Sequence, residues 1–254
     1  MITAGIDAGS KTIKVVVVKD GRIIGQARGD AGYDIQPSTE TVWQEALKAA
    51  GIKASDISKV VATGAGRDEA PHAQAKITEV SAAAKGAVAL NPAIRTVIDV
   101  GAEEGRAIKI SAAGKVVDFA INDKCAAGAG AFIEAMARAL EVKLEELGPL
   151  SLQSTKVVNM NAQCAVFAES EMVTLVHAKT AKPDMARAIH NAVSDRITSL
   201  VRRVGLETPV MLIGGLARNI GFYTSLKNML ETDILVPEDP DIVGAFGAAL
   251  VAAQ

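Results

Sequence analysis

The first residues of the chain alternate short apolar runs with turns. Runs rich in valine and isoleucine are typical of β-strands, and Asp20-Gly21 between two of them indicates a tight hairpin. Gly9 follows the first run and marks an earlier turn. The pattern therefore predicts strand, glycine turn, strand, Asp-Gly turn and strand over residues 2–25.

Helical patterns follow this opening. Ser38 or Thr39 is expected to cap a helix that starts at Glu40 and ends at Gly51. A strand is predicted next, then a helix that stops at Asn91-Pro92, and later a mainly helical region. The predicted strands lie at residues 59–66 and 210–215, and the later helices at 131–147, 164–178, 184–204 and 241–253.

The opening pattern then begins again. Ile98–Gly101 repeats the Ile-Asp-x-Gly of Ile6–Gly9, 92 positions later. Ile108-Lys109 lies 95 positions after Ile13-Lys14, which predicts three extra residues in the second turn, and Ala113-Gly114 provides the next hairpin turn. The repeat predicts two similarly built lobes that face a cleft; the alternative is a chance match.

Composition and charge argue against some classes of partner. The chain has 254 residues, 49% hydrophobic and only 3% aromatic, with a formal net charge of −2. Without a basic face or stacking aromatics, nucleic acid is not expected as a partner. No signal peptide is evident, and no apolar run approaches the roughly 18 residues that span a bilayer. We therefore expect a cytoplasmic protein without a membrane partner, whose two cysteines are thiols rather than a disulfide.

Both Asp-x-Gly turns have residues suited to phosphate chemistry. Exposed amides and hydroxyls in residues 7–12 suit phosphate oxygens, and a carboxylate at a strand end suits hydrated Mg²⁺. With Asp99-Val100-Gly101, they suggest two facing hairpins that clamp a Mg²⁺–triphosphate; the alternative is a solvated turn. Glu103-Glu104 is either a solvated turn or a pair that orients water, and Gly214-Gly215 either a strand–helix turn or a shelf for a nucleoside.

The two cysteines lie 39 residues apart, and each precedes a predicted helix. The start of a helix stabilises a thiolate or an anionic cluster. Two thiolates are too few for a Cys₄ iron–sulfur site, whereas two chains supply four. The alternatives are inert buried cysteines or a catalytic Cys–His pair, for which the scattered His72, His177 and His190 give no local support.

Several blocks together resemble one family. They are, in order, GIDAGSKTIK, VIDVGAEEGRAIK, NDKCAAGAGAF, CAVFAESE, GGLARN and VGAFGAAL. Their order is similar to that in the BcrAD/BadFG-type ATPases, which are the activators of 2-hydroxyacyl-CoA dehydratases and the ATPase subunits of benzoyl-CoA reductase. The resemblance implies an α/β chain with the actin-like ATPase fold, in which two ribonuclease-H-like lobes surround an ATP cleft. Lobe I would comprise residues 1–92 plus 240–254, and lobe II residues 93–239.

The resemblance also implies site residues. Cys125 and Cys164 would bind one 4Fe–4S cluster per dimer, with two cysteines from a second ATPase subunit. Asp7 and Asp99 would lie near Mg²⁺, with catalytic roles for both and for Glu103 and Glu104. The residues implied to bind ATP or ADP are Gly9, Ser10, Lys11, Thr12, Ile13, Lys14, Gly101, Ala102, Gly214, Gly215, Ala217 and Asn219.

The implied activity is ATP-driven electron transfer. Ferredoxin or flavodoxin would donate low-potential electrons, which would pass through the cluster to a partner that reduces a CoA thioester. Activators often have Gly-Gly-Gln-Asp where this chain has Gly101-Ala102-Glu103-Glu104, so it looks more like the smaller ATPase subunit of a benzoyl-CoA reductase, with a paralogous partner. The alternatives are a homodimeric dehydratase activator, a small-molecule kinase of the same fold, and a non-catalytic ATP-binding assembly protein.

Overall fold

The computed structural model describes residues 1–122, 129–160 and 165–254. These residues form ten strands and eight α-helices. The strands are β1 Ile2–Ala8, β2 Thr12–Lys19, β3 Arg22–Asp30, β4 Lys59–Thr63, β5 Ala75–Lys76, β6 Thr96–Val100, β7 Gly105–Ile110, β8 Val116–Asn122, β9 Val210–Ile213 and β10 Ile234–Leu235. The helices are α1 Ile35–Ala50, α2 Glu79–Leu90, α3 Gly130–Ala139, α4 Leu144–Ser151, α5 Ala165–His177, α6 Lys182–Val204, α7 Ile220–Leu230 and α8 Val243–Ala252.

The first sheet has the strand order β3-β2-β1-β4-β5. Strand β1 pairs antiparallel with β2 and parallel with β4. Successive side chains of a strand point to opposite faces, so the continuous valine run of β2 is buried on both: Val15 packs in the cluster that contains Trp43 of α1, and Val16 packs with Phe246 of α8. Helices on both faces explain why this strand shows no apolar–polar alternation.

The second sheet repeats this arrangement. Its order is β10-β9-β6-β7-β8, so β6 is the central strand that corresponds to β1. Its core includes Ile98 and Val100 of β6, Phe132 of α3 and Ile189 of α6, all fully buried. The strands predicted after the second Ile-Asp-x-Gly are thus confirmed, and the α/β class with them.

The chain divides into two compact units. Unit 1 comprises Met1–Val97, Ile110–Val117 and Pro237–Gln254, and unit 2 comprises Ile98–Lys109 and Asp118–Val236. The lobe boundaries given above stay a prediction. Among the residues that the structure describes, no helix has the length and apolar character needed to cross a membrane.

Helix α1 starts five residues earlier than predicted, at Ile35 rather than Glu40. Asp34 is its cap, and the side chain of Asp34 accepts a hydrogen bond from the amide of Gln36 at 3.1 Å. Ser38 and Thr39, predicted as caps, lie within the helix instead. Their hydroxyls donate to the main-chain oxygens of Asp34 and Ile35, four residues earlier. A proline in the first turn is compatible with this start, because its missing N–H is not needed there.

The helix predicted over residues 131–147 is in fact two helices. Helix α3 ends at Ala139 and α4 begins at Leu144. Between them Glu141 has a left-handed backbone with φ of 53°, a conformation that does not continue a right-handed helix. The other predicted helices and the strand at 210 are confirmed within a few residues, as is the end of α1 at Gly51; α7 was not predicted.

Helix α8 lies unusually close to its neighbours in unit 1. A Cβ at Gly247 would overlap the main-chain oxygen of Ala82 in α2, and a Cβ at Gly5 of β1 would overlap that of Ala245. The close approach depends on glycine, because a side chain there would meet rigid backbone.

We expect Gly247→Val to lower the free energy of unfolding by about 3 kcal/mol or more, since overpacking against backbone is not relieved by rotamer changes. Urea denaturation measures the loss. Gly215→Ala is the matched control, because a Cβ at Gly215 meets nothing within 4 Å. A Gly247→Val protein as stable as the control would contradict this packing.

His190 in α6 makes the stability of the protein dependent on pH. It is fully buried, and burial lowers the pKa of His190 to about 4, only partly offset by its hydrogen bond with the main-chain oxygen of Ala186. Between that value and the ordinary 6.5 the unfolded chain binds more protons than the folded one, so stability falls as pH falls.

We expect the free energy of unfolding to drop by roughly 3 kcal/mol between pH 6.5 and pH 4. His190→Gln should remove most of this slope, whereas the exposed His177→Gln should retain it. Urea denaturation across this pH range measures both. Equal slopes in the two variants would exclude His190 as the cause.

Candidate functional site

The turn between β1 and β2 is built around an ion pair. Asp7 and Lys14 are cross-strand partners, and Lys14 Nζ lies 3.1 Å from Asp7 Oδ2 with both side chains mostly shielded from solvent. The amide of Gly9 donates to the main-chain oxygen of Thr12 at 3.1 Å and closes the turn. A carboxylate and an ammonium are thus held side by side at the end of the strand.

The residues of this turn divide into exposed and buried ones. Ser10 and Lys11 are exposed, whereas the side chain of Ile13 is fully buried in the core, so only its backbone is open to a ligand. A Cβ at Gly9 would lie 2.7 Å from Thr12 O and 3.4 Å from Lys14 Nζ. Glycine therefore keeps the space beside the lysine open, which fits a group that approaches the backbone closely.

The turn between β6 and β7 in unit 2 has the same construction. Arg106 Nη1 lies 3.1 Å from Asp99 Oδ2. The amide of Gly101 donates to the main-chain oxygen of Glu104 at 2.9 Å. The other guanidinium nitrogen, Arg106 Nη2, donates to the carboxylate of Glu104. Ala102 is half-buried and Glu103 is exposed.

The two turns correct the predicted alignment of the repeat. The aspartate, the glycine, the residue whose oxygen closes the turn and the basic residue all recur 92 positions later. The second turn therefore has no extra residues, and the counterpart of Lys14 is Arg106, not Lys109. Lys109 Nζ instead pairs with Glu207 at 2.6 Å. An Ile-Lys dipeptide lies near each of the two turns, at residues 13–14 and 108–109, but the turn hydrogen bond determines which residues correspond.

One glycine in each unit lies next to the aspartate of its turn. Gly64 follows β4 with φ of 93°, and Gly214 follows β9 with φ of 86°. A Cβ at Gly64 would lie 2.6 Å from Asp7 Oδ1, and one at Gly214 would lie 2.8 Å from Asp99 Oδ1. Both glycines thus lie against the strand-end carboxylates. The sequence motifs predicted only Gly214; the signal for Gly64 was a glycine directly after a buried strand.

The predicted nucleoside shelf lies at the start of α7. Asn219 caps this helix by accepting a hydrogen bond from the amide of Phe222 at 3.0 Å. Ala217 is buried, whereas Gly215 borders open space. The open surface here is therefore backbone around Gly215, and the Asn219 oxygen is engaged in the cap.

The start of α3 is bonded to the second turn. The amide of Gly130 donates to Gly101 O at 2.9 Å, and the amide of Ala131 donates to Ala102 O at 2.7 Å. Two adjacent hydrogen bonds of this kind couple the position of the turn to that of the helix.

Cys125 and Cys164, the predicted cluster ligands, lie outside the described residues. Among the described residues, no group of three or more histidine, aspartate, glutamate or cysteine side chains is placed to hold a metal ion. Helix α5 begins at Ala165, the residue after Cys164.

Unit 2 contains a cavity whose described lining differs from the two turns. It has a volume of about 690 Å³, and Asn159, Asn191, Asp195 and Arg196 contribute polar groups to its wall. Among the residues that the structure describes, none of the predicted site residues lines it. Within its own unit, each turn brings several of the described predicted residues together.

Comparison with known proteins gives consistent matches over almost the whole chain. The model of the BadF/BadG/BcrA/BcrD ATPase family matches residues 4–252. The activator of lactoyl-CoA dehydratase from Anaerotignum propionicum is 38% identical over 252 residues, which cover 99% of this chain and 97% of the relative. A subunit of the benzoyl-CoA reductase from Thauera aromatica is 34% identical over 264 residues, covering 98% and 92%.

Two solved structures resemble the chain closely. Component A of the (R)-2-hydroxyglutaryl-CoA dehydratase of Acidaminococcus fermentans has a TM-score of 0.95 at 36% identity, covering 99% of this chain and 97% of that one. The activator of the 2-hydroxyisocaproyl-CoA dehydratase from Clostridium difficile, with bound ADPNP, has a TM-score of 0.93 at 37% identity, covering 99% and 94%. The predicted actin-like ATPase fold is confirmed.

Proposed function

Because this chain belongs to the BadF/BadG/BcrA/BcrD ATPase family, we propose that it couples ATP hydrolysis to electron transfer toward an enzyme that reduces a CoA thioester. Three features support the proposal: the two matching turns, the hydrogen bonds between the second turn and α3, and the two cysteines that precede helices in the sequence. The relatives named above are dehydratase activators and one component of a reductase.

The two turns are suited to the phosphates of ATP. Lys14 and the amides of residues 9–12 would bind phosphate oxygens, and Asp7 and Asp99 would hold hydrated Mg²⁺. The fit rests on the shielded carboxylates, which are each paired with one basic residue, and on the open space beside Gly9. Mg²⁺ would neutralise the charge that develops on the phosphates. Glu103 is an exposed residue of the second turn, and its carboxylate would orient the attacking water.

The observation that carries the coupling is the pair of hydrogen bonds from Gly130 and Ala131 to the second turn. A turn that shifts when the nucleotide changes would carry the start of α3 with it. Cys125 precedes this helix start by a few residues. ATP can drive such a shift only through a difference in its affinity for the two arrangements.

Cys125 and Cys164 would supply two of the four thiolates of a 4Fe–4S cluster, and a second subunit would supply the others. Such a cluster would supply one-electron transfer at low potential. The chain's own part would be to supply two deprotonated thiols. In the sequence, both cysteines precede helices, and the start of a helix favours a thiolate. Ferredoxin or flavodoxin would be the electron donor.

The subunit that would supply the other two cysteines is either a paralogue or a second copy of this chain. The turn sequence Gly101-Ala102-Glu103-Glu104 supports a reductase component with a paralogous partner. The 38% identity to a dehydratase activator supports the alternative, a dehydratase activator that would be formed by two copies of this chain. The mass and iron content of the protein produced alone separate them, because a cluster that forms in a homodimer needs no paralogue.

The proposal is tested on protein purified without oxygen. We expect about two irons and two acid-labile sulfides per chain in the dimer, as one shared four-iron cluster requires, together with Mg²⁺-dependent ATPase activity. If protein kept under anaerobic conditions contains no iron and transfers phosphate to a small molecule, the proposed electron transfer is wrong and a kinase is supported. If it binds nucleotide tightly but contains no iron and does not hydrolyse ATP, a non-catalytic assembly protein is supported.

A further inference from the structure

Arg106 binds two carboxylates of the second turn at once. One guanidinium nitrogen pairs with Asp99 at 3.1 Å and the other donates to Glu104. The arginine side chain is 11% exposed and Asp99 15%, so this contact is largely shielded from water. A planar guanidinium that contacts two carboxylates fixes the direction of both, which a single ammonium group cannot do in the same way.

The first turn offers a direct comparison. Lys14 pairs with Asp7 and also donates to the main-chain oxygen of Thr12 at 3.4 Å. Thr12 is the counterpart of Glu104, so in both turns the basic residue joins the strand-end aspartate to the residue that closes the turn. In the second turn that link runs through a side chain, and it therefore depends on residue identity.

This link separates the roles of the two glutamates. The Glu104 carboxylate is engaged by Arg106. The Glu103 carboxylate is exposed and makes no hydrogen bond or ion pair with the described parts of the chain. The two residues are adjacent glutamates, but only the Glu104 carboxylate is bound by another described side chain.

We propose that Arg106 is a positioning residue of the ATPase reaction: it holds Asp99 and Glu104 in one geometry and leaves Glu103 as the carboxylate of this turn available to the nucleotide and its water. The inference rests on the ATPase function proposed above. It assigns the Arg106–Glu104 contact to the rigidity of the turn, and it predicts that the two side chains act as one unit.

The test is steady-state ATPase kinetics of Arg106→Gln, Glu104→Gln and the double variant. We expect each single variant to lower kcat roughly 10- to 100-fold, the size of effect that follows from a misplaced reacting group, with a much smaller change in KM for MgATP. The double variant should lose no more than the worse single variant, because both remove the same link. Arg106→Lys, which retains one donor group for Asp99, should recover part of the loss.

Lys109→Gln is the matched control. It removes a basic residue from the same strand and breaks a comparable ion pair with Glu207, and it should retain wild-type kcat. Urea denaturation establishes that each variant is folded; Glu104 is 37% exposed, so its variant reports on the link even if Arg106→Gln does not fold.

Distinct results overturn distinct claims. Folded Arg106→Gln or Glu104→Gln with wild-type kcat would overturn the positioning role, and so would losses that multiply in the double variant. A wild-type protein without ATPase activity would instead overturn the proposed function itself.

Discussion

Asp7→Asn and Asp99→Asn are each expected to lower the kcat of ATP hydrolysis at least about 100-fold, as the loss of a group that stabilises charge in the transition state typically does. Each change keeps the shape of the side chain and removes the negative charge that would hold Mg²⁺. Lys14 would retain its contact with Thr12 O, and Arg106 its contact with Glu104. The turns should therefore remain formed while the metal site is lost.

The control for these variants is Asp20→Asn. Asp20 lies in the β2–β3 turn of the first sheet, which also contains Asp7, and its mostly exposed carboxylate pairs with the N-terminal amine at 2.8 Å. It loses an ion pair without touching the proposed site, so its kcat should match wild type. Titration with ADPNP in the presence and absence of Mg²⁺ shows whether the metal contribution has gone. A kcat within a few-fold of wild type in both site variants would remove these carboxylates from the reaction.

The paired turns show what a sequence specifies locally. Asp7, Gly9, Asp99 and Gly101 were predicted from the residues alone, because an apolar strand followed by Asp-x-Gly indicates a turn wherever it occurs. The counterpart of Lys14 was assigned wrongly. It is Arg106, but the dipeptide Ile108-Lys109 matches the sequence Ile13-Lys14 better and was chosen instead. Which residue faces an aspartate across a turn depends on strand register, and pairs of backbone hydrogen bonds set that register.

The start of α1 was missed for a related reason. Three residues near it can cap a helix, and sequence alone does not choose among them; the structure uses Asp34. Gly64 was missed because its role depends on β4 lying beside β1, a pairing between distant segments. Likewise, only the structure distinguishes Glu104, which binds Arg106, from its neighbour.

Cys125→Ala and Cys164→Ala are each expected to reduce iron from about two atoms per chain to near zero, because a four-iron cluster that loses a thiolate from each subunit has only two left. Nucleotide affinity should stay nearly unchanged, since neither cysteine belongs to the turns. Iron and sulfide analysis of anaerobic protein measures the first effect, and ADPNP titration the second.

His177→Ala is the control for these variants: it removes another residue type that binds metals, from the last turn of α5, and should leave iron unchanged. Iron retained in either cysteine variant would show that the thiol concerned is not a ligand. Iron lost together with nucleotide affinity would instead point to misfolding, because the residues of the turns are held by their own hydrogen bonds. Selective loss of iron is the result expected of a cluster whose ligands are separate from the residues that bind the nucleotide.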